Sequence, residues 1–197
     1  TMSLNTWTDI TCPSGCDTGL TWGAIPATQN CVLAPKLSQV SDVYIKPTGA
    51  ADAFTYGVGD PTLTSGNIDN TAGDNSKTIW LVGKGGIADP EPSTYDGPKG
   101  KSITTKRRYR LEFEVNVRET SMYNIVRQFQ CGSLDFTFRY GDRGDFLYGG
   151  SSGISPVFTD GLLSKGAGDE DNQFGTIIIE FETDNGDAPR HVNPHAS

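Results

Sequence analysis

The cysteines are the first residues of this 197-residue chain whose spacing could do chemistry. Cys12 and Cys16 have the spacing of half a zinc site, which needs a second pair of cysteine or histidine ligands. Cys31 and Cys131 do not form such a pair, and both histidines lie in the C-terminal segment. The first three cysteines could form a disulfide in an oxidising compartment or remain buried thiols. We therefore predict no metal ion and leave the cysteine pairing open.

Acidic side chains form two further patterns, one typical of calcium sites and one of glycosidases. Four oxygen-bearing residues have some of the spacing of an EF-hand loop, namely Asp169, Asp171, Gln173 and Glu180. Phe174 occupies the position where that loop requires glycine, so only a looser surface calcium site stays open. Glu112 and Glu114 share one face of a strand, but Arg108 and Arg110 lie on the same face. This arrangement favours ion pairs across strands or between subunits over a glycosidase pair.

Neither the histidines nor the glycine clusters fit a catalytic site. Nucleophilic catalysis requires a base beside a hydroxyl or thiol group. The only histidines, His191 and His195, lie in a polar terminal segment, which is a poor place for a preorganised triad. The glycine cluster 83–86 lacks both the spacing and the following helix of a phosphate-binding loop. We therefore expect no enzyme and no cofactor.

Two patterns suggest binding to other molecules. Arg143, Gly144 and Asp145 spell the tripeptide of cell-adhesion ligands, but these residues are also typical of a tight turn. Aromatic residues scattered along the chain could stack against sugars on a β-sandwich: Trp7, Trp22, Trp80, Tyr95, Tyr140 and Tyr148. They could as well fill a core or an interface. A secreted carbohydrate-binding module is therefore one alternative function.

The elements that would position these residues are mainly strands. Residues 108–118 form the clearest one, because polar residues alternate there with Tyr109, Leu111, Phe113, Val115 and Val117. Residues 121–130 have helical spacing after a hydroxyl cap and before Gly132. Further strands are predicted at residues 37–47, 78–82, 134–140 and 176–183. In the third of these, apolar positions alternate with Asp135, Thr137 and Arg139.

These elements predict one β-rich domain spanning residues 1–197. The fold class is mainly β, a two-sheet β-sandwich or partly closed barrel with one short flanking α-helix and long loops. The irregular segments are a loop-like N-terminal stretch with three cysteines at 1–35, a long loop or loose hairpin at 47–77, a glycine-rich loop system at 142–175 and an exposed C-terminal arm at 185–197.

The charges exclude some partners and suggest another. The formal net charge of -8 disfavours general binding to nucleic acid, whose phosphates would be repelled. No apolar run approaches the length of a membrane span, so no membrane partner is expected. Two poles form the candidate subunit interface: basic Lys99, Lys101, Lys106, Arg107, Arg108 and Arg110, and acidic Asp169, Glu170, Asp171, Glu180 and Glu182. They are either two solvated faces or the two sides of a head-to-tail contact.

The order of a long early loop, a strong strand, a short helix and closing strands resembles the tail tube subunits of tailed bacteriophages and related injection machines. Residues 109–117, 121–130, 134–140 and 176–183 carry the resemblance. It implies a non-enzymatic virion protein whose packed sheets and flanking helix assemble into rings, usually of six subunits. The rings stack, with the long loop reaching into the next ring, and DNA passes through an acidic channel without specific binding.

The cysteine-bearing segment 12–31 departs from typical tube subunits, which keeps a second virion role open. A capsid decoration protein or a head-tail connector ring is that alternative. In each virion role the expected partners are other copies of the chain and other virion proteins, and the expected localisation is the virion.

Overall fold

The computed structural model describes residues 40–69, 76–97, 100, 102–118, 120–132, 135–142, 146–164, 174–184 and 188–194. The chain divides into two units, Thr1–Leu37 and Ser38–Ser197, and all of the described residues belong to the second. That one domain spans the whole chain stays a prediction. The first three cysteines, the adhesion tripeptide and the calcium-loop residues 169–173 lie outside the described residues.

Strands dominate the described residues, as the alternation of apolar and polar positions predicts. They are β1 (Val40–Pro47), β2 (Phe54–Thr55), β3 (Thr62–Leu63), β4 (Ile68–Asp69), β5 (Thr78–Ile87), β6 (Glu91–Asp96), β7 (Ser102–Asn116), β8 (Phe136–Asp142), β9 (Phe146–Tyr148), β10 (Pro156–Ser164), β11 (Phe174–Asp184) and β12 (Arg190–Val192). The predicted helix is α1 (Thr120–Gln130), and a short 3-10 turn spans Ser65–Asn67. The mainly β fold with a short α-helix is therefore confirmed.

The main sheet curls back on itself. Its strand order is β10-β11-β7-β5-β1-β8-β9-β12, with β4 beside β5 and β6 beside β7, and β2 and β3 form a separate small sheet. Phe138 of β8 contacts Phe181 of β11, with 5.4 Å between ring centroids, although three strands separate β8 from β11. The two halves of the sheet therefore face each other. The predicted sandwich-like arrangement is confirmed, and the described strands do not close into a barrel.

The main core lies between these halves, on the inner face of the sheet. Leu111, Phe113 and Val115 of β7 are fully buried there, which is the alternating face that the sequence predicts. The apolar stripe of α1 packs onto the same face, over β10 and β11, and buries Ile125, Val126 and Phe129. Burial of each such side chain contributes about 1.5–3 kcal/mol before entropy is subtracted.

The strand β5 is where the sheet turns from one half to the other. Its first part pairs with β1 and its last part with β7. A Cβ atom added at Gly85 would lie 2.7 Å from the Glu112 carbonyl oxygen and 2.7 Å from the Phe113 ring. At Gly83 it would lie 3.0 Å from the same ring. Gly83 and Gly85 thus permit close packing of β5 on β7, and this packing accounts for them without a phosphate ligand.

Several segments predicted as loops contain strands. The glycine-rich segment 142–175 includes β9 and β10, and the turn-rich stretch after β5 includes β6. Within 47–77, β2 pairs with β3, and β4 joins the main sheet. The exposed arm predicted at 185–197 is wrong for residues 188–194, because β12 pairs with β9 and Asn193 is buried. In each case pairing with a neighbouring strand satisfies the backbone hydrogen bonds. The local sequence carries no apolar alternation that would have predicted these strands.

Candidate interaction surface

The outer face of the sheet, opposite the main core, is covered over β1, β8 and β9. Residues 50–69 form this covering layer. Its small core joins Tyr44 and Leu147 of the sheet to Ala53 and Phe54 of the layer. The Tyr44 and Phe54 rings meet edge to face, with centroids 4.8 Å apart. The apolar residues that looked isolated in the predicted long loop therefore complete a second, smaller core.

Arg139 of β8 fixes the covering layer to the sheet. Its side chain is 1% exposed, although the alternation of β8 places it among the polar positions. The guanidinium donates to both carboxylate oxygens of Asp52, at 2.9 Å each. It also donates to the carbonyl oxygens of Gly150 and Ser151, at 2.8 and 2.7 Å, and lies 5.5 Å from the Phe54 ring centroid. Pairing of a buried charge on several sides is what makes its burial tolerable.

The pKa of Asp52 is lowered by this arrangement. Burial alone would raise the pKa of the carboxyl, but hydrogen bonds from Arg139 and the Phe54 backbone N–H, with the charges of Arg139 and Lys46, outweigh it. A carboxyl with a lowered folded pKa adds stability that is complete above its unfolded pKa, about 3.9. That stability is lost as the pH falls through the lowered pKa.

We therefore expect acid to remove the stability that Asp52 provides. The free energy of unfolding of the wild type, minus that of Asp52→Asn, should be constant between pH 7 and about 5 and should shrink below about pH 3.9. Urea unfolding of both proteins across this range measures the difference. If the difference is unchanged at pH 2, the charge of Asp52 does not supply the stability.

The free edge of β12, at one end of the sheet, is largely blocked. The Val192 backbone N–H donates to a carboxylate oxygen of Asp60 in the covering layer, at 3.0 Å. The His191 ring packs against Tyr56 with 5.3 Å between centroids. Two residues further on, Pro194 has no N–H. Since its donors are occupied or missing, β12 offers little to another strand.

The remaining outer face, formed by β10, β11, β7 and the end of β5, has no described element packed on it, and we call it the open face. Residues opposite each other in antiparallel strands point to the same side. Three rows therefore cross it: Leu162, Thr176, Glu114 and Lys84; Asp160, Ile178, Glu112 and Gly86; Phe158, Glu180 and Arg110. Phe158 and Leu162 are 47% and 53% exposed, whereas Ile178 in the middle row is only 3% exposed. The open face thus changes from apolar at β10 to charged at β7.

Ion pairs on the open face join residues of the two predicted charge poles within one chain. They are Lys106–Glu182 at 3.3 Å, Arg108–Glu180 at 2.5 Å and Arg110–Glu180 at 3.5 Å. Arg110 also contacts Glu112 at 2.9 Å, but both residues lie on β7, and Glu114 has no ion pair among the described residues. Pairing of these two carboxylates across strands or between subunits stays a prediction. Exposed pairs of this kind contribute about 0–1 kcal/mol each. The charges of these residues are already compensated inside the subunit. A contact between subunits at these residues would therefore have to form beside ion pairs that exist already.

Arg107 differs from its neighbours on β7. Its position in the alternation places it on the other side of the strand, it is exposed, and it has no ion pair within the described part of the chain. The other members of the poles lie outside the described residues: Lys99, Lys101, Asp169, Glu170 and Asp171. That the poles meet between subunits stays a prediction. Charge reversal at Arg107 tests it best, since reversal at Lys106 or Arg108 would oppose two carboxylates within one chain.

Two longer strand edges, those of β6 and β10, have no neighbour in the described sheet. The nine residues of β10 run beside the exposed Phe158 and Leu162. All six residues of β6 are exposed, and this strand follows the first half of β7. An uncovered edge presents backbone N–H and C=O groups that can pair with another strand. The open face and these two edges form the candidate interaction surface.

The other residues considered for function do not come together. Tyr140 and Tyr148 stack in the main core, with ring centroids 4.9 Å apart. Trp80 packs against the small core on the opposite face, where its indole N–H donates to Asp42. Tyr95 lies on β6, so the four aromatic residues that are described make no common sugar platform. The described residues hold no group of three His, Cys, Asp or Glu placed for a metal ion.

Comparisons with known proteins identify no relative. The chain matches no protein-family model, no curated protein and no solved structure. Among the described residues, no helix has the length and apolar character needed to cross a membrane. The functional interpretation therefore rests on the open face and its edges. The sequence does not reveal these edges, because the apolar residues of β10 come in adjacent pairs and β6 has almost none.

Proposed function

We propose that this chain is a non-enzymatic structural subunit of a phage virion, namely a tail tube protein whose rings stack around a DNA channel. The direction of its two free strand edges carries the proposal. The strands β6, β7, β11 and β10 are adjacent, and each is antiparallel to the next. Consequently β6 and β10 run in opposite directions. When a second copy stands beside the first in the same orientation, β10 of one copy meets β6 of the other as antiparallel strands.

A ring built from this contact leaves none of these edges free. Head-to-tail contacts close into rings when the rotation between copies closes. Through its pairing with β11, β10 is in register with the second half of β7. The strand β6 pairs with the first half of β7. Strands joined in this way are staggered, and stagger accompanies the tilt of strands in a closed barrel. The resemblance to tail tube subunits implies six copies in the ring.

The open face suits the lining of a DNA channel. In such a ring α1 would lie outside, because it packs on the inner face of the same strands. Lys106, Arg108 and Arg110 each contact a carboxylate, so passing phosphates would meet few unpaired cations. Binding to DNA depends on cations that replace phosphate counterions. Paired charges therefore favour passage of DNA without specific binding.

The test is to block the β10 edge while the subunit remains folded. Lysine on an edge strand opposes pairing with another strand, so the double variant Phe158→Lys with Leu162→Lys should abolish rings and tubes. Both side chains are about half exposed, so the variant should unfold at nearly the wild-type urea concentration. Light scattering across concentration and salt, with negative-stain imaging, measures assembly.

The matched control is Val192→Lys, which places one such lysine at a residue of similar exposure, 51%, on the blocked β12 edge. We expect this variant to assemble as the wild type does. A wild type that stays monomeric at every concentration would overturn the proposed function. If the double variant assembles normally, β10 is not the joining edge.

The alternative virion role, a decoration or connector protein, would give rings that never stack or a protein that assembles only on another lattice. The same images distinguish these outcomes from tubes. A carbohydrate-binding module has less support, since Trp80 and the Tyr140–Tyr148 pair lie on opposite faces of the sheet. It predicts a monomer whose tryptophan fluorescence changes on addition of sugar.

A further inference from the structure

An apolar cleft opens where α1 meets the ends of β1 and β8. Its volume is 370 Å³, and its walls are mainly apolar, with Ile45, Ile79, Ile125, Phe129 and Phe136. Thr48, Gln128 and Asp135 are the polar residues that line it. Clefts of about 300–1,000 Å³ with apolar walls and a few polar groups are typical binding sites. This cleft is large enough for an aromatic side chain.

The second feature of interest is the hairpin formed by β6 and the first half of β7. We call this hairpin the arm; it is distinct from the C-terminal segment 185–197. Every residue of β6 is exposed, as are Thr105 to Arg108 on β7. Tyr95 is 64% exposed on the arm. A two-stranded hairpin with both faces in water is only marginally stable on its own. The arm therefore has much to gain from a partner.

The cleft and the arm lie at opposite ends of the length of sheet that β5 and β6 span one after the other. Ile79, in the cleft wall, is near the start of β5, and Tyr95 is near the end of β6. Both strands follow β7 in succession: Ile87 pairs with Leu111, and further along the path Tyr95 pairs with Ile103. Extended chain rises about 3.3 Å per residue, so the arm points away from the cleft of its own subunit.

We infer that Tyr95 of one copy enters the cleft of a second copy. Its ring would pack against Ile125 and Phe129, and its hydroxyl would donate to the carboxylate of Asp135. One charge on the arm agrees with this contact: Arg107 is exposed, has no ion pair among the described residues, and is opposite in sign to Asp135 at the rim. Tyrosines that enter pockets commonly dominate the energy of an interface. Since arm and cleft lie at opposite ends of the subunit, the contact joins one ring to the next.

This inference rests on the proposed function, because it assigns the stacking contact of the assembled rings. Its test uses the full chain with Tyr95→Ala, which removes the ring, and Gln128→Trp, which fills the rim of the cleft. The proposed ring contact uses the backbone of β6, which both variants keep, so rings should stay intact. Each variant should lower the amount of tube that sediments by about tenfold or more, as loss of a dominant interface residue does. Asn124→Ala, at an exposed residue of α1 that does not line the cleft, should sediment as the wild type does.

The outcomes separate this inference from the proposed function. Rings without tubes in both Tyr95→Ala and Gln128→Trp would support the contact. Wild-type tube length in either variant would overturn it and leave the tube function standing. A monomeric wild type would instead remove both. Tyr95→Phe distinguishes the ring from the hydroxyl, since a packed ring without its hydrogen bond to Asp135 should give an intermediate amount of tube.

Discussion

Replacing Arg139 with methionine is expected to lower the free energy of unfolding by about 3–5 kcal/mol. The half-buried carboxylate of Asp52 then loses both hydrogen bonds from Arg139 and keeps only Lys46 and the Phe54 backbone N–H. The side chain of Arg139 is almost fully buried, and that of Asp52 is 23% exposed. The variant also takes one donor each from the carbonyl oxygens of Gly150 and Ser151. Urea unfolding measures the loss. Protease digestion should show that the covering layer is cut faster than in the wild type.

Two controls separate the buried ion pair from a general effect of losing an arginine. Arg110→Met on the open face removes an arginine whose side chain is 45% exposed, and it should cost less than about 1 kcal/mol. Adding Asp52→Leu to Arg139→Met should recover much of the stability, since the half-buried carboxylate is removed and its other partner, Lys46, is 31% exposed to water. If Arg139→Met costs no more than Arg110→Met, Arg139 does not hold the covering layer.

Alanine at Gly83 or at Gly85 is expected to destabilise the fold by about 1–3 kcal/mol, the usual cost of overpacking a core. The added methyl group would meet the Phe113 ring at 3.0 Å from position 83 and at 2.7 Å from position 85. It would also press against backbone carbonyl oxygens of β7, which lie in the middle of the sheet and move only with their strand. Thermal unfolding monitored by circular dichroism measures the change.

Gly86 is the control for both variants, because it lies in the same strand and points to the open face. A Cβ atom at this position has no atom within 4 Å. Gly86→Ala should therefore stay within about 0.5 kcal/mol of the wild type. Equal losses at Gly85 and Gly86 would show that strand propensity, rather than contact with Phe113, decides the cost.

The sequence predicts the strands and the helix whose own residues show a periodic apolar pattern. The alternation in β7 and the helical spacing in α1 arise because each buries one face against the main core. The strand β6 carries no such pattern, since it is exposed on both faces and is held by its pairing with β7. Its membership of the sheet depends on a partner, which local periodicity does not encode.

Of the candidate interaction surface, only the charged residues could be predicted from the sequence. That Arg108 faces Glu180 follows from the register between β7 and β11, which are far apart in the chain. The alternation of β8 placed Arg139 among polar positions, and only the covering layer explains its burial. Sequence pattern therefore identifies which residues carry charge, whereas the pairing of distant strands decides which charges remain available.

The position of β11 between β7 and β10 also sets the timing of folding. While the ribosome makes the chain, β7 and α1 emerge well before the strand that completes their core. Until β11 arrives, the apolar face of β7 lacks its neighbour, and β10 has nothing to pair with. Contacts between distant segments form slowly. The subunit therefore completes its sheet late in synthesis. Until then the growing chain exposes the apolar face of β7, and exposed apolar strands make incomplete chains prone to aggregate.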